Sequence, residues 1–270
     1  MKNFLKKQYV KMILIVGILA VAAYGVYYGL QSRQTLVYAE HLEDVCVTVD
    51  GEDLTLADVA FYVVYEETKV EQQAEIYNAD NTKDYWNGHV NGIFIQADAK
   101  KTALGMAAHD AIFYNAAVEK GLELTEEDKE YLENSRTDFW MDLYDEQKDN
   151  LPVSDEQINE SMDKMALAQK YQRWIAEQNG RTYNEYDWDG YDYEQLVEAS
   201  HTIEENASVW NRVNVGEVSL THSKVSYING MTDQEREEFQ QQQKENKRTL
   251  LDGFLDMLKG NNNEDDSETE

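Results

Sequence analysis

The residues that could support covalent or acid–base chemistry are scattered through this sequence. Its five histidines, His41, His89, His109, His201 and His222, show no metal-ligand spacing. The one cysteine, Cys46, can make neither an internal disulfide nor a cysteine-rich metal site, and its apolar surroundings read as those of a small buried hydrophobe. There is no Gly-x-Ser-x-Gly, His-Glu-x-x-His or phosphate-loop pattern. His109 and Asp110 are neighbours on a predicted helix, so their side chains are expected to point in different directions. Asp187-Trp188-Asp189-Gly190 resembles part of a calcium loop. With Gly190 at the sixth position, however, the first is Glu185 and the twelfth is Leu196, where a bidentate Glu is needed. With 53 carboxylates in the chain, the closeness of any two says nothing about catalysis. No catalytic residue, metal ligand or cofactor is assigned.

The sequence does supply chemistry suited to non-covalent binding. Tyr62, Tyr65, Trp86, Phe139, Trp140, Met162 and Met165 fall on or between predicted helices. Aromatic rings and flexible thioethers offer contact area without demanding one partner sequence. These seven are the candidate peptide-binding residues; the competing reading is that they are core. Trp86 fits either a clamp onto the core or an exposed contact.

Capped helices must position them. Val45, Val47 and Val49 alternate with Cys46 and Thr48 as in a strand, and Asp50-Gly51 makes a turn. Thr55 caps a first helix, with Asp58 as box partner, and the helix fades near Asn78. Residues 79–92 are polar and turn-rich. Phe94 to Lys120 reads as a central helix with a stripe at Leu104, Ala107, Ala108, Ala111 and Ile112, ended by Gly121. Thr125 opens the next helix. Pro152 then precedes Ser154 and its partner Gln157, which open a helix that stops at Asn179-Gly180. Beyond it, a short helix near Tyr193–Ala199 and strands around Val209–Val213 and Val218–Val225 are expected. Thr232 caps a last helix, with an apolar stripe at Leu250, Leu251, Phe254, Leu255 and Leu258.

Two passages carry a family resemblance. One is the strand ending in Val49-Asp50-Gly51, followed by Leu54-Thr55 and Asp58 at the opening of a long helix. The other runs from Ala103 to Leu132: Ala103-Leu104, a small-residue helix, then Ala-Val-Glu-Lys-Gly-Leu-Glu-Leu-Thr-Glu-Glu-Asp from Ala117 to Asp128. In this order they resemble the chaperone domain of the SurA and PrsA group of extracytoplasmic folding factors, over roughly residues 45–180. The resemblance implies a helical domain that holds unfolded chains, with a C-terminal helix returning to pack on the first ones. Many of that group also insert a parvulin-type prolyl isomerase. Here the slot, 181–230, is too short for that module, and His201 and His222 lack the Cys/Asp, Met and Phe surroundings of such a site. The chain also departs from the PrsA-like lipoproteins, since Glu43-Asp44-Val45 before Cys46 is no lipid-attachment context.

Charge and hydropathy place the domain. Net charge is −29, which argues against nucleic acid as a partner. The first 37 residues nevertheless carry Lys2, Lys6, Lys7, Lys11 and Arg33 and no acid. Residues 12–30 carry no charge and as a helix would span about 28 Å, close to the bilayer's hydrocarbon thickness. Tyr24, Tyr27 and Tyr28 sit at its far end, and the basic flank stays in the cytoplasm. The alternative is a signal peptide cut after Ala39.

The expected fold is therefore mainly α: a basic segment 1–11, a transmembrane helix 12–30 and a spacer 31–44. A SurA N-terminal-like helical domain with a small β element follows at 45–180. A short α/β insert at 181–230, a closing amphipathic helix at 231–259 and an acidic disordered tail at 260–270 complete it. The expected function is a plasma-membrane, single-pass, extracytoplasmic chaperone-like protein binding unfolded or secreted polypeptides without catalysis. The alternative is a cell-surface adaptor with one specific protein partner.

Overall fold

The computed structural model describes residues 35–222, and these are mainly helical. Among them no helix is long and apolar enough to cross a membrane. The predicted membrane helix at 12–30, the closing helix at 231–259 and the tail at 260–270 lie outside them.

The chain first forms a hairpin of β1 (Val45–Val49) and β2 (Glu52–Thr55). Asp50 and Gly51 both have positive φ, 52° and 85°, the pair of values a two-residue hairpin turn needs. β2 is absent from the sequence reading, because Glu52 and Asp53 are poor strand formers. The third strand, β5 (Ile203–Glu205), pairs antiparallel with the other side of β1. That places β1 in the centre of the sheet. Cys46 is buried, as its reading as a small buried hydrophobe expects, along with Val47 and Val49, so both faces of β1 are covered and not only the one that alternation suggests. The ladder is irregular between Val45 and Val47.

Four long helices build the body: α1 (Leu56–Asn78), α3 (Ile95–Glu119), α4 (Glu126–Asp142) and α6 (Asp155–Asn179). Local chemistry fixes their ends. Thr55–Asp58, Thr125–Asp128 and Ser154–Gln157 form reciprocal capping boxes, each satisfying two backbone N–H groups. α3 ends where Gly121 turns left-handed and Leu122 N–H donates to the Ala117 carbonyl at 2.9 Å. α6 ends in the same way at Gly180. α3 packs against α1 and α6, and its small residues Ala103, Ala107 and Ala108 are buried in that spine. Asp128 joins α4 to α6 through Lys170 (2.6 Å) and Arg173 (2.7 Å).

Short elements fill the connections. α2 (Lys83–Trp86) and a second hairpin, β3 (His89–Val90) with β4 (Ile93–Phe94), lie between α1 and α3. α5 (Asp145–Asp149) lies between α4 and α6. α7 (Tyr191–Ser200) matches the short helix expected there. The strand expected at Val209–Val213 does not form. α8 (Ala207–Trp210) and turns occupy it, while the strand register on β1 is taken by Ile203–Glu205. Asp50 selects that register, accepting from Thr202 N–H at 2.8 Å and lying 2.7 Å from His201 Nδ1. Val218–His222, the described part of the other expected strand, is irregular.

The two ends of the described chain are built into the core. Leu36 and Tyr38 are buried, and the Tyr38 hydroxyl donates to the Leu56 carbonyl at 2.6 Å. At the other end, the fully buried Glu67 carboxylate accepts the N–H groups of Gly216 (2.6 Å), Val218 (2.9 Å) and Ser219 (2.8 Å). Gly216, at φ 104°, lies so close to Trp86 that a Cβ would stand 2.6 Å from its ring.

Candidate binding cleft

One cleft of about 560 Å³ opens among the four long helices. Helical periodicity on each helix supplies one wall. α1 turns Phe61, Tyr62, Tyr65, Thr68 and Lys69 toward it, and α3 turns Met106, His109 and Asp110. α4 contributes Tyr131, Ser135, Asp138, Phe139 and Asp142, and α6 contributes Met162, Met165 and Gln169. Asp187 and Trp188, in the turn before α7, close one side.

The floor is buried and aromatic. The Phe61 ring lies 5.0 Å from Tyr62, edge to face, and 5.4 Å from Phe139. Met162 is buried beside them, while Tyr65, Met106, Met165 and Trp188 are half-buried walls and Tyr131 is exposed at the rim. Trp188 reaches this position because residue 105 is glycine: a Cβ there would stand 2.6 Å from the indole ring.

A buried polar chain crosses the floor. The Tyr62 hydroxyl donates to Asp110 Oδ2 at 2.9 Å. Asp110 Oδ1 lies 2.8 Å from His109 Nδ1, and His109 Nε2 donates to the Tyr186 carbonyl at 3.0 Å. The expectation that His109 and Asp110 diverge is thus overturned: with Asp110 held by Tyr62 and His109 by the Tyr186 carbonyl, the two side chains meet. Each ring nitrogen of His109 thus faces an oxygen partner. Neither nitrogen is left to serve a ligand, so the pair holds α1, α3 and the 183–186 turn together. Burial, and then the neighbouring Asp110 charge, push the Tyr62 hydroxyl well above the ordinary phenol range, so it remains a donor. Cys46 is remote from this chemistry. Burial pushes its thiol up to about 12, and it donates to the Leu54 carbonyl at 3.4 Å.

The rim carries an excess of negative charge. Asp138, Asp142 and Asp187 line it. The lysine in the lining, Lys69, lies 3.5 Å from Asp142 and 5.4 Å from the centre of the Tyr65 ring. A cation stacked on an aromatic ring beside a carboxylate is the contact this surface offers in its own structure.

Of the seven candidate binding residues, Tyr62, Tyr65, Phe139, Met162 and Met165 come together in this cleft. The other two lie elsewhere. Trp86 is buried and donates Nε1–H to Glu71 Oε2 at 2.7 Å, the core-clamp alternative. Trp140 packs on Phe139 from the far side and donates to Asn159 at 3.1 Å.

No family model, curated protein or solved structure matches this chain.

The cleft also holds residues not read from the sequence: Phe61, Met106, Tyr131 and Trp188. The first three share faces with residues that were read. Phe61 and Tyr65 are four apart, as are Tyr131 and Ser135, with Phe139 four further on. Trp188 carries no such signal, because its position depends on a glycine 83 residues earlier.

Proposed function

We propose that this chain is a membrane-anchored, extracytoplasmic chaperone-like protein that binds unfolded or secreted polypeptide in the helical cleft and performs no catalysis. The observation that carries this reading is the cleft's lining: aromatic and methionine side chains from four helices, open to solvent, under a rim of aspartates. Such a surface gains from burying apolar side chains of any sequence at roughly 25 cal/mol per Å². The acidic rim adds a preference for segments that also carry Lys or Arg. The resemblance to the SurA and PrsA chaperone domain points the same way. The anchor is residues 12–30. The burial of Leu36 and Tyr38 favours a mature chain that keeps them over one cut after Ala39.

One observation favours the adaptor alternative. A volume of about 560 Å³ lies within the ~300–1,000 Å³ range of pockets that hold one compact ligand. That suits one short segment of a specific partner as well as successive segments of many.

Aggregation suppression separates the two. The full-length protein in lipid nanodiscs is mixed, without nucleotide, with several unrelated proteins as they unfold, at near-equal molar ratio. The chaperone reading expects most to be protected, with protection reduced by Tyr65→Ala combined with Met165→Ala. Protection of none, with the domain folded, removes the chaperone reading and leaves the adaptor.

A further inference from the structure

The hairpin of β3 and β4 exposes apolar side chains that the cleft does not use. Val90 is 52% exposed, Ile93 55% and Phe94 64%. Asn91 and Gly92, at φ 53° and 84°, form its two-residue turn. Val90 pairs with Ile93 on one face of the hairpin and Phe94 with His89 on the other, so the hairpin exposes apolar side chains on both faces.

Its location narrows what can cover it. The chain enters the described structure at Thr35, where Leu36 N–H donates to the Arg212 carbonyl at 3.0 Å and residues 35–39 line a small pocket with Asn150, Pro152, Asn214, Glu217 and Val218. The same turn also holds the helices that flank the hairpin. Lys83 pairs with Glu217, and Gln96, two residues after Phe94, bonds to Asn214 and donates to the Val215 carbonyl at 3.1 Å. Hairpin and entering chain thus share one end of the molecule. The apolar run ends at Leu30, five residues before Thr35, a reach of at most about 18 Å.

Local charge permits a bilayer to approach there. The hairpin itself, residues 89–94, carries no Asp, Glu, Lys or Arg in a protein of net charge −29, and the nearby Glu217 is paired with Lys83. A neutral apolar protrusion can enter the interfacial layer of a membrane that would repel the rest of the domain.

We infer that the 89–94 hairpin is a membrane-interface contact, inserting Val90, Ile93 and Phe94 at the lipid surface and fixing the orientation of the domain. This inference rests on the anchored reading above.

The test uses the full-length protein in phosphatidylcholine vesicles. Cys46, buried and with its thiol pushed up by burial, stays unlabelled under native conditions while an introduced cysteine takes a fluorophore. Ile93→Cys places the label on the hairpin. Val118→Cys, at a position 53% exposed near the other end of α3, places it roughly 36 Å away. With nitroxide-bearing lipid in the bilayer, the label at 93 is expected to lose at least half its emission and the label at 118 to lose almost none. Equal, weak quenching at both positions overturns the contact even when the protein floats with the vesicles. A label at 93 that is unquenched by lipid but shifts with protein concentration also overturns it, in favour of a protein contact. Failure to float overturns the anchored reading and the contact together.

Discussion

The Tyr62 hydroxyl reaches 2.9 Å across from α1 to Asp110 on α3, at the floor of the cleft. One bond thereby couples the first helix of the body to its central one, and does so at the surface proposed to meet a client. Tyr62→Phe keeps the ring and its edge contact with Phe61 but leaves Asp110 short of a donor. Hydrogen bonds to charged groups contribute about 1.5–3 kcal/mol. Urea denaturation should show a loss of that size. Client binding by the folded protein should change little, because the hydroxyl is already engaged with Asp110.

Glu67 is the corresponding anchor for the far end of the described chain. Its carboxylate takes three backbone N–H groups from residues 216–219 and the Ser219 hydroxyl. Glu67→Ala leaves those donors buried without an acceptor, at about 1–3 kcal/mol each. Hydrogen exchange should accelerate at Gly216, Val218 and Ser219 well beyond any change in α3. Exchange there that matches the unaltered protein would show that the segment is held by something else.

Stability should fall as pH rises through neutrality. Burial, and then the Asp98 charge, raise the Glu66 carboxyl to about 7. Its unfolded value is about 4.3. Between those values the folded state binds the extra proton, so the contribution of this group is full below about pH 4.3 and is lost as pH rises past about 7. His222 adds to the trend. Burial opposes its charge, but Glu71, 3.6 Å away, outweighs that and raises the imidazole above its ordinary value. Its contribution is full below about pH 6.5 and fades as pH rises. Thermal unfolding of Glu66→Gln should therefore show a gain over the unaltered protein at pH 8 and none at pH 4.

Gly105 sets one wall of the cleft. Gly105→Ala raises helix propensity by about 1 kcal/mol, yet its methyl group would collide with Trp188. The indole must move, so its fluorescence should shift toward that of an exposed tryptophan, and client affinity should drop. An unchanged spectrum with unchanged affinity would mean that Trp188 is not a working wall.

Much of the fold is written locally. The three capping boxes, the left-handed turns at Gly121 and Gly180 and the Asp50-Gly51 hairpin turn depend on residues within a few positions of one another, and each is legible. Faces within a helix are legible too: Tyr62 and Tyr65 are three apart, as are Met162 and Met165, and both pairs reach the cleft, whereas Trp140, next to Phe139, and Trp86 do not. What could not be read depends on distant partners. Ile203–Glu205 is a strand because β1 offers it an edge and Asp50 fixes its start, while the more strand-like Val209–Val213 stretch is drawn into turns whose Trp210 and Val213 carbonyls bind Lys100. His109 and Asp110 meet because Tyr62 and Tyr186 hold them, which adjacency on a helix does not foretell.

The proposed function requires that clients enter the cleft and that its acidic rim selects among them. Affinity of the full-length protein for an unfolded polypeptide rich in aromatic and basic residues, and for one of equal hydropathy with acids in place of the basic residues, tests this directly when measured before and after Asp138→Lys combined with Asp187→Lys. The unaltered protein is expected to bind the basic polypeptide more tightly, by at least about tenfold at low salt, and the variant, with its fold intact, to lose or reverse that preference. Equal affinity for both polypeptides, unchanged by the substitutions, would contradict it.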